Sequence, residues 1–264
     1  MRFISFSSGS CGNCSLLLGP RSGILIDAGV GIRRVKKELE VLGLGTDVLS
    51  AILITHDHGD HIRSLGSFCK RLTLPVWTTA TLHEALLRNP FTHEWIGPCR
   101  QDLLPGIWNP ITEDFDVQYF VVPHDATQCV GYAIRCEGEL FVLMTDLGHV
   151  TPEALRWASL ASTVVVESNY DIDMLLGGSY PEELKRRITH GIGHLSNEAC
   201  GEAIVSFMHP GLKNLFLAHL SGNNNTPELA YASALAALQT AGVEPGSVAL
   251  RVLRRGVSSP LLNL

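Results

Sequence analysis

The stretch Thr55-His56-Asp57-His58-Gly59-Asp60-His61 follows an apolar run, Ala51–Ile54, and precedes a segment with helical spacing, His61–Leu72. Its side chains therefore project from the end of a buried strand as the chain turns into a helix. His56 and His58 alternate on extended backbone and face the same way, whereas Asp60 and His61 turn toward a second direction. Imidazole and carboxylate together suit Zn²⁺ or Mn²⁺, and also Fe²⁺. Histidines beside an ordinary surface turn do not need this strand-to-helix setting, so the stretch reads as a metal-binding turn.

Further along, polar residues stand where other apolar runs end. His124 follows Val121-Val122-Pro123, Asp146 follows Phe141–Thr145, and His219 follows Leu215–Ala218. Each alone reads as a turn residue, but their recurrence beside the motif makes them candidate ligands. Strand-like runs at Arg2–Phe6, Ser15–Leu18 and Gly23–Ile26 are separated by glycine-rich turns, and Ile32–Leu42 has the spacing of an amphipathic helix. Strands are also expected at Pro75–Thr78, Val117–Val122, Gly131–Cys136, Leu140–Thr145, Thr163–Glu167, Asn214–Ala218 and Val248–Leu253. Helices are expected at Thr81–Arg88, from Pro152, near Pro181–Thr189, and at Asn197–His209 and Pro227–Ala241. Runs of strands followed by alternating units predict an α/β protein built as a four-layer αββα sandwich.

Composition narrows the class. Apolar residues make up 45% of the 264 and charged residues 17%, which excludes a disordered chain. No apolar run approaches the length of a spanning helix, so no membrane association is expected. The start, Met1-Arg2-Phe3-Ile4-Ser5-Phe6, lacks the pattern of a secretory signal and predicts a cytoplasmic product. Seven cysteines are too few for a disulfide scaffold and too odd to pair completely, so reduced thiols are expected. A net charge of −6 argues against a surface coated in basic residues, but bound dications would make a local site positive. The candidate ligands run from His56 to His219, so a single domain over residues 1–264 is expected.

The series His56, His58, Asp60, His61, His124, Asp146 and His219 resembles that of metallo-β-lactamase-fold hydrolases. The resemblance implies two divalent cations, with His56, His58 and His124 on one, Asp60, His61 and His219 on the other, and Asp146 between them. It also implies that Asp27 orients a ligand histidine. An aspartate at 146, where zinc β-lactamases usually carry cysteine, points away from antibiotic hydrolysis. The ligand set is similar to those of glyoxalase II and the tRNA 3′-processing nucleases. The short stretch between Asp146 and His219 leaves no room for the large inserted domain of the β-CASP nucleases.

Five further motifs resemble the YycJ (WalJ) family: Ser8-Gly9-Ser10-Cys11-Gly12-Asn13, Glu167-Ser168-Asn169, Leu184-Lys185-Arg186-Arg187-Ile188, Gly193-His194-Leu195-Ser196-Asn197-Glu198, and His219-Leu220-Ser221 running on to Asn223-Asn224-Asn225. That resemblance implies a 5′-to-3′ exonuclease acting on DNA. Cys11 stands where the family usually has serine, and Cys11-Gly12-Asn13-Cys14 reads as small residues in a glycine turn rather than a zinc half-site, because no partner pair exists.

Metal-bridged hydroxide is the expected nucleophile. Asp60 would steer it, and His194 would protonate the leaving group. Ser8, Asn13, Asn169, Ser196, Ser221 and Asn223 are candidate substrate or ligand-supporting residues, with Ser196 or Asn197 also a candidate helix cap. Lys185, Arg186 and Arg187 suit either a backbone-binding patch or a solvated helix face. The segment Arg88–Glu113, rich in Pro, Trp and turn residues, reads as a lid or substrate-shaping loop. The alternative activity is hydrolysis of a small ester, thioester or cyclic phosphodiester.

Overall fold

The computed structural model describes residues 1–264. The first sheet begins with β1 (Arg2–Ser7), β2 (Cys14–Leu18), β3 (Gly23–Ile26), β4 (Leu49–Leu53), β5 (Val76–Thr78) and β6 (Arg100–Asp102). The second contains β7 (Asn109–Pro110), β8 (Asp116–Val122), β9 (Cys129–Cys136), β10 (Glu139–Met144), β11 (Thr163–Glu167), β12 (Asn214–Ala218) and β13 (Ala249–Val252). The last strand, β14 (Leu262–Asn263), returns to the first sheet beside β1. Strand order is β14-β1-β2-β3-β4-β5-β6 in one sheet and β13-β12-β11-β10-β9-β8-β7 in the other.

Three apolar layers hold this arrangement together. Between the sheets lie Phe3, Ile24, Leu53, Tyr132, Phe141 and Phe216, all fully buried. Outside the first sheet pack α1 (Ile32–Val41), α2 (Gly59–Ile62), α3 (Leu65–Leu72) and α4 (Ala80–Leu86). Outside the second pack α5 (Pro152–Ala158), α8 (Asn197–Phe207) and α9 (Pro227–Thr240), while α6 (Ile172–Gly177) and α7 (Glu182–Thr189) lie between β11 and α8 in the chain. The central strands are covered on both faces, which is why they read as continuous apolar runs rather than as alternating ones. The expected αββα sandwich is thus the observed fold.

Three local differences have physical causes. The helix expected over His61–Leu72 is broken, because the backbone N–H of Ala28 takes the His61 carbonyl at 2.7 Å and the Ser64 N–H turns to the Ala28 carbonyl at 3.0 Å. The segment Arg88–Glu113 is no free-standing lid. Arg100–Asp102 extends the first sheet in parallel with β5, and Asn109–Pro110 pairs with β8, so backbone hydrogen bonding builds much of it into the sandwich edges. Helix α6 has no counterpart in the pattern-based reading; its N-cap Asp171 accepts from the Met174 N–H at 2.9 Å.

Candidate metal centre

Parallel pairing places the carboxyl ends of β3 and β4, and of β10, β11 and β12, at one pole of the sandwich. Loops leaving such ends form crevices in α/β folds. Only five non-glycine residues have positive φ, and three of them sit at this pole within two residues of a strand end: Asp27 (φ 62°), Asp146 (φ 57°) and His219 (φ 55°). The left-handed conformation carries a strain of order 1–3 kcal/mol apiece, and the three side chains contact His61, His219 and Glu167 at this pole.

The sequence-distant donors converge there. His56, His58 and His124 form one group and Asp60, His61 and His219 another, with candidate ligand atoms within 4.8 Å of one another in each. Asp146 groups with His56 and His61, and lies 3.3 Å from both His61 Nε2 and His219 Nδ1. Most of the rings have a fixed tautomer because one nitrogen is engaged. His124 Nδ1 donates to the Gly193 carbonyl at 2.9 Å, and His61 Nδ1 donates to Asp27 at 2.7 Å. Asp27 also accepts from the Thr55 hydroxyl at 3.0 Å, and that hydroxyl lies 3.0 Å from His56 Nδ1. Each supported ring thereby turns its other nitrogen toward the cluster.

Whether these residues suit a cation is tested by the unsatisfied atoms. Buried polar atoms normally find partners. His56 Nε2, Asp146 Oδ2 and His219 Nε2 are buried with no hydrogen bond. All three belong to the candidate ligands, and a divalent cation would complete each of them. The electrostatics agree. Burial favours neutral Asp146, but His219 and His61 outweigh it and keep the carboxyl well below its ordinary range. Burial and the neighbouring His61 push His56 well below its usual value. Burial also opposes charge on His61, yet Asp27 and Asp146 raise it to about 10, so a cation there must displace a proton.

A second buried carboxylate organises the other wall. Glu167, fully buried at the end of β11, presents Oε1 to His194 Nδ1 and to His219 Nδ1, each at 2.8 Å. Its Oε2 accepts from the Leu147 and Leu195 N–H groups at 3.0 and 3.2 Å. Burial alone would raise its pKa, but His194 and His219 hold it down to about 2. In return Glu167 raises His194 against the effect of burial. His194 lines a cavity of about 300 Å³ together with His58, His124, Asn169 and Ser221.

Other expected residues divide into those at the centre and those serving the scaffold. Asn13 Nδ2 lies 3.1 Å from Asp60 Oδ2 and 2.8 Å from His61 Nε2. Ser8 Oγ accepts from the His219 N–H at 2.8 Å, and Asn169 Nδ2 donates to the His219 carbonyl at 2.7 Å. Ser221 Oγ accepts from the Asn224 N–H at 3.2 Å while also lining the cavity. Asn223 is exposed and donates to the Tyr180 hydroxyl at 3.1 Å.

Ser196 does not reach the centre: it is the N-cap of α8, and its hydroxyl accepts from the Ala199 N–H at 3.1 Å. Nor do Lys185, Arg186 and Arg187 form one patch. Lys185 is buried on the Leu176 carbonyl at 2.7 Å, and Arg187 is paired with Asp125. Cys11 and Cys14 belong to none of the donor groups.

Three contributors carried no assigned role in the sequence reading. Glu167 looked like the last residue of an apolar strand, and Thr55 like its own strand's end. Asp57 points away from the donors and accepts from Thr127 N–H and Oγ1, fastening the loop that carries His124. An acid closing a buried strand was the available signal for Glu167.

Donor groups at the shared strand ends of an αββα sandwich define a metallo-β-lactamase-superfamily hydrolase, a metal-dependent class. A family profile described as Beta-lactamase superfamily domain matches residues 23–219, and the chain belongs to that superfamily. Within it, the chain is similar to the YycJ and WalJ proteins. It is 32% identical over 249 residues to exodeoxyribonuclease YycJ of Bacillus anthracis, covering 93% of this chain and 92% of that one. It is 30% identical over 230 residues to exodeoxyribonuclease WalJ of Streptococcus pneumoniae serotype 2 (strain D39 / NCTC 7466), covering 87% and 85%. Zn²⁺-bound PqqB from Methylobacterium extorquens has the same fold, with a TM-score of 0.73 at 14% identity and complete coverage of both chains. No helix is long and apolar enough to cross a membrane.

Proposed function

We propose that this chain is a metal-dependent phosphodiesterase that removes nucleotides from DNA in the 5′-to-3′ direction. The observation that carries the reading is the meeting of two donor groups around Asp146, with three buried ligand atoms that lack protein partners. Similarity to proteins named exodeoxyribonucleases supplies the substrate class. His56, His58 and His124 would hold one divalent cation and Asp60, His61 and His219 a second, with Asp146 shared. Zn²⁺ and Mn²⁺ suit this mixed donor set, as does Fe²⁺. Bound cations supply Lewis-acid polarisation of a phosphate oxygen and a water of lowered pKa.

The remaining work falls to side chains. Asp60 is partly exposed and accepts from Asn13, which leaves its carboxylate fixed where it can orient a water. His194 is held by Glu167 through Nδ1 and lines the cavity, so its other nitrogen is available to protonate the departing oxygen. Asn169 and Ser8 fix His219 through its backbone. All of this is proposed to act within one domain spanning residues 1–264.

Incubation of the Mn²⁺- or Zn²⁺-loaded protein with end-labelled single- and double-stranded DNA and RNA tests the reading. Stepwise shortening of DNA from the 5′ end is the expected result. Inactivity on all four polymers, with turnover of a thioester or cyclic phosphodiester, would replace it with small-molecule hydrolysis.

A further inference from the structure

The cavity lined by His58, His124 and His194 reaches Ser221, and the same serine lines a neighbouring cavity of about 290 Å³. The second cavity is walled by Gly222, Asn225, Arg254 and Arg255, with Glu228 as its only acid. The loop between the two is short and well anchored, since the His219 N–H donates to Ser8 and the Ser8 N–H donates to the Arg254 carbonyl at 3.2 Å.

Arg255 is seated on this loop by glycine. A Cβ at Gly222 would lie 1.3 Å from Arg255 Nη1, and one at Gly9 would lie 2.5 Å from its Cγ. The side chain is therefore laid across two loops that both border the metal centre. On the far side of the Gly9–Gly12 turn, a Cβ at Gly12 would lie 2.6 Å from Arg63 Nη2.

Arg34 and Arg187 pair with Glu38 and Asp125. Arg254 and Arg255 have no carboxylate within the 4.0 Å of an ion pair and are exposed, whereas the Arg63 Nε donates to the Gly29 carbonyl at 2.7 Å. In a chain of net charge −6, the uncompensated guanidinium groups of Arg254 and Arg255 beside one groove form a local attraction for a polyanion. Guanidinium groups bind phosphate oxygens in bidentate fashion without reading bases.

We propose that Arg254 and Arg255 form a phosphate-binding track for the strand that continues beyond the bond being cut. The track makes the enzyme prefer a polynucleotide over a dinucleotide or an isolated phosphodiester. This rests on the nuclease reading above, and it adds where the remainder of the strand lies: across Ser221 and away from the metal centre.

Full-length protein loaded with Mn²⁺ provides the test, with three substrates: a long single-stranded DNA oligonucleotide, a dinucleotide and bis(p-nitrophenyl) phosphate. Arg254→Ala/Arg255→Ala should raise KM for the oligonucleotide about tenfold or more. It should also lower the slope of log KM against log salt by roughly 1.4, about 0.7 per lost single-strand phosphate contact. Turnover of the two small substrates should not change. Arg255→Gln keeps the stem that packs on Gly9 while removing the guanidinium beside Gly222, and should give about half the slope change. Lys213→Ala, at the opposite end of β12, should have no effect.

An unchanged KM and salt slope on DNA that the wild type cleaves would overturn the track while leaving the nuclease reading intact. Equal losses on all three substrates would overturn it in favour of loop support. A wild type that turns over the small phosphodiesters but no polynucleotide would overturn both.

Discussion

On the first sheet's side, His56, His58, Asp60 and His61 leave the end of β4 within a single turn, and Asp27 with Thr55 steadies two of their rings. On the second sheet's side, Asp146, Glu167 and His219 leave three separate strands, His194 arrives from the loop before α8, and Glu167 steadies two rings. The first half is local and is held by a small network. The second is assembled from distant segments and depends on one carboxylate. Each half places a fully or nearly fully buried acid behind its histidines. Geometry is therefore controlled one layer behind the candidate ligands on both sides, but with different redundancy.

Asp146 is where the halves meet, and its removal should have the largest effect. Asp146→Ala is expected to lose bound metal and to reduce hydrolysis to background, beyond the roughly 10–100-fold typical of losing an outer partner. His58→Ala should behave similarly. Metal analysis and turnover check both, and normal turnover by a metal-poor variant would break the dinuclear scheme.

His194→Ala should slow cleavage about 10²–10⁴-fold while metal content stays at the wild-type level, as for loss of a general acid. Loss of metal in that variant would make His194 a ligand-supporting residue instead. The contrast between halves is sharpened by Glu167→Gln and Asp27→Asn. Losses of about 10–100-fold are expected, with Glu167→Gln at the upper end because it disturbs His194 and His219 together. Asp27→Asn should be milder, since Thr55 still engages His56. Equal effects would remove the asymmetry.

The smallest effect is expected at the opposite pole. There Asp114 joins the sheets by accepting from the Arg21 and Ser22 N–H groups at 2.8 and 2.7 Å and from the Ser22 hydroxyl at 2.8 Å. A Cβ at Gly19 would lie 2.7 Å from its Oδ2, so this turn requires glycine. Burial opposes ionisation of Asp114, but these donors win and lower its pKa. Its contribution is complete above the unfolded-state pKa and disappears as pH falls through the lower folded value. Asp114→Asn should therefore destabilise the fold by about 1–3 kcal/mol near neutrality. The difference should close in acid, and turnover should not change. Denaturant unfolding across pH gives the answer.

The same contrast explains what could be read from the chain. The β4 motif is legible because its donors share one strand–turn–helix unit, where spacing alone sets direction. His124, Asp146 and His219 were visible only as polar residues closing apolar runs, and their partition between two donor groups came from resemblance. Glu167 reads only as the last residue of an apolar strand, because no local spacing links it to His194 or His219. Ser196 and Lys185 looked functional by type, but a helix N-terminus and a carbonyl in need of a partner claim them first.

By itself, the sequence determined the αββα layering, through apolar runs buried on both faces, and marked out the candidate donors, through residue chemistry at strand ends. Tertiary structure alone decided how those donors combine. Parallel pairing brings β10, β11 and β12 to one pole, and left-handed backbone at Asp27, Asp146 and His219 turns their side chains inward. Buried carboxylates then select which ring nitrogen faces the centre. These are contacts between residues far apart in the chain, and no periodicity along the chain encodes them.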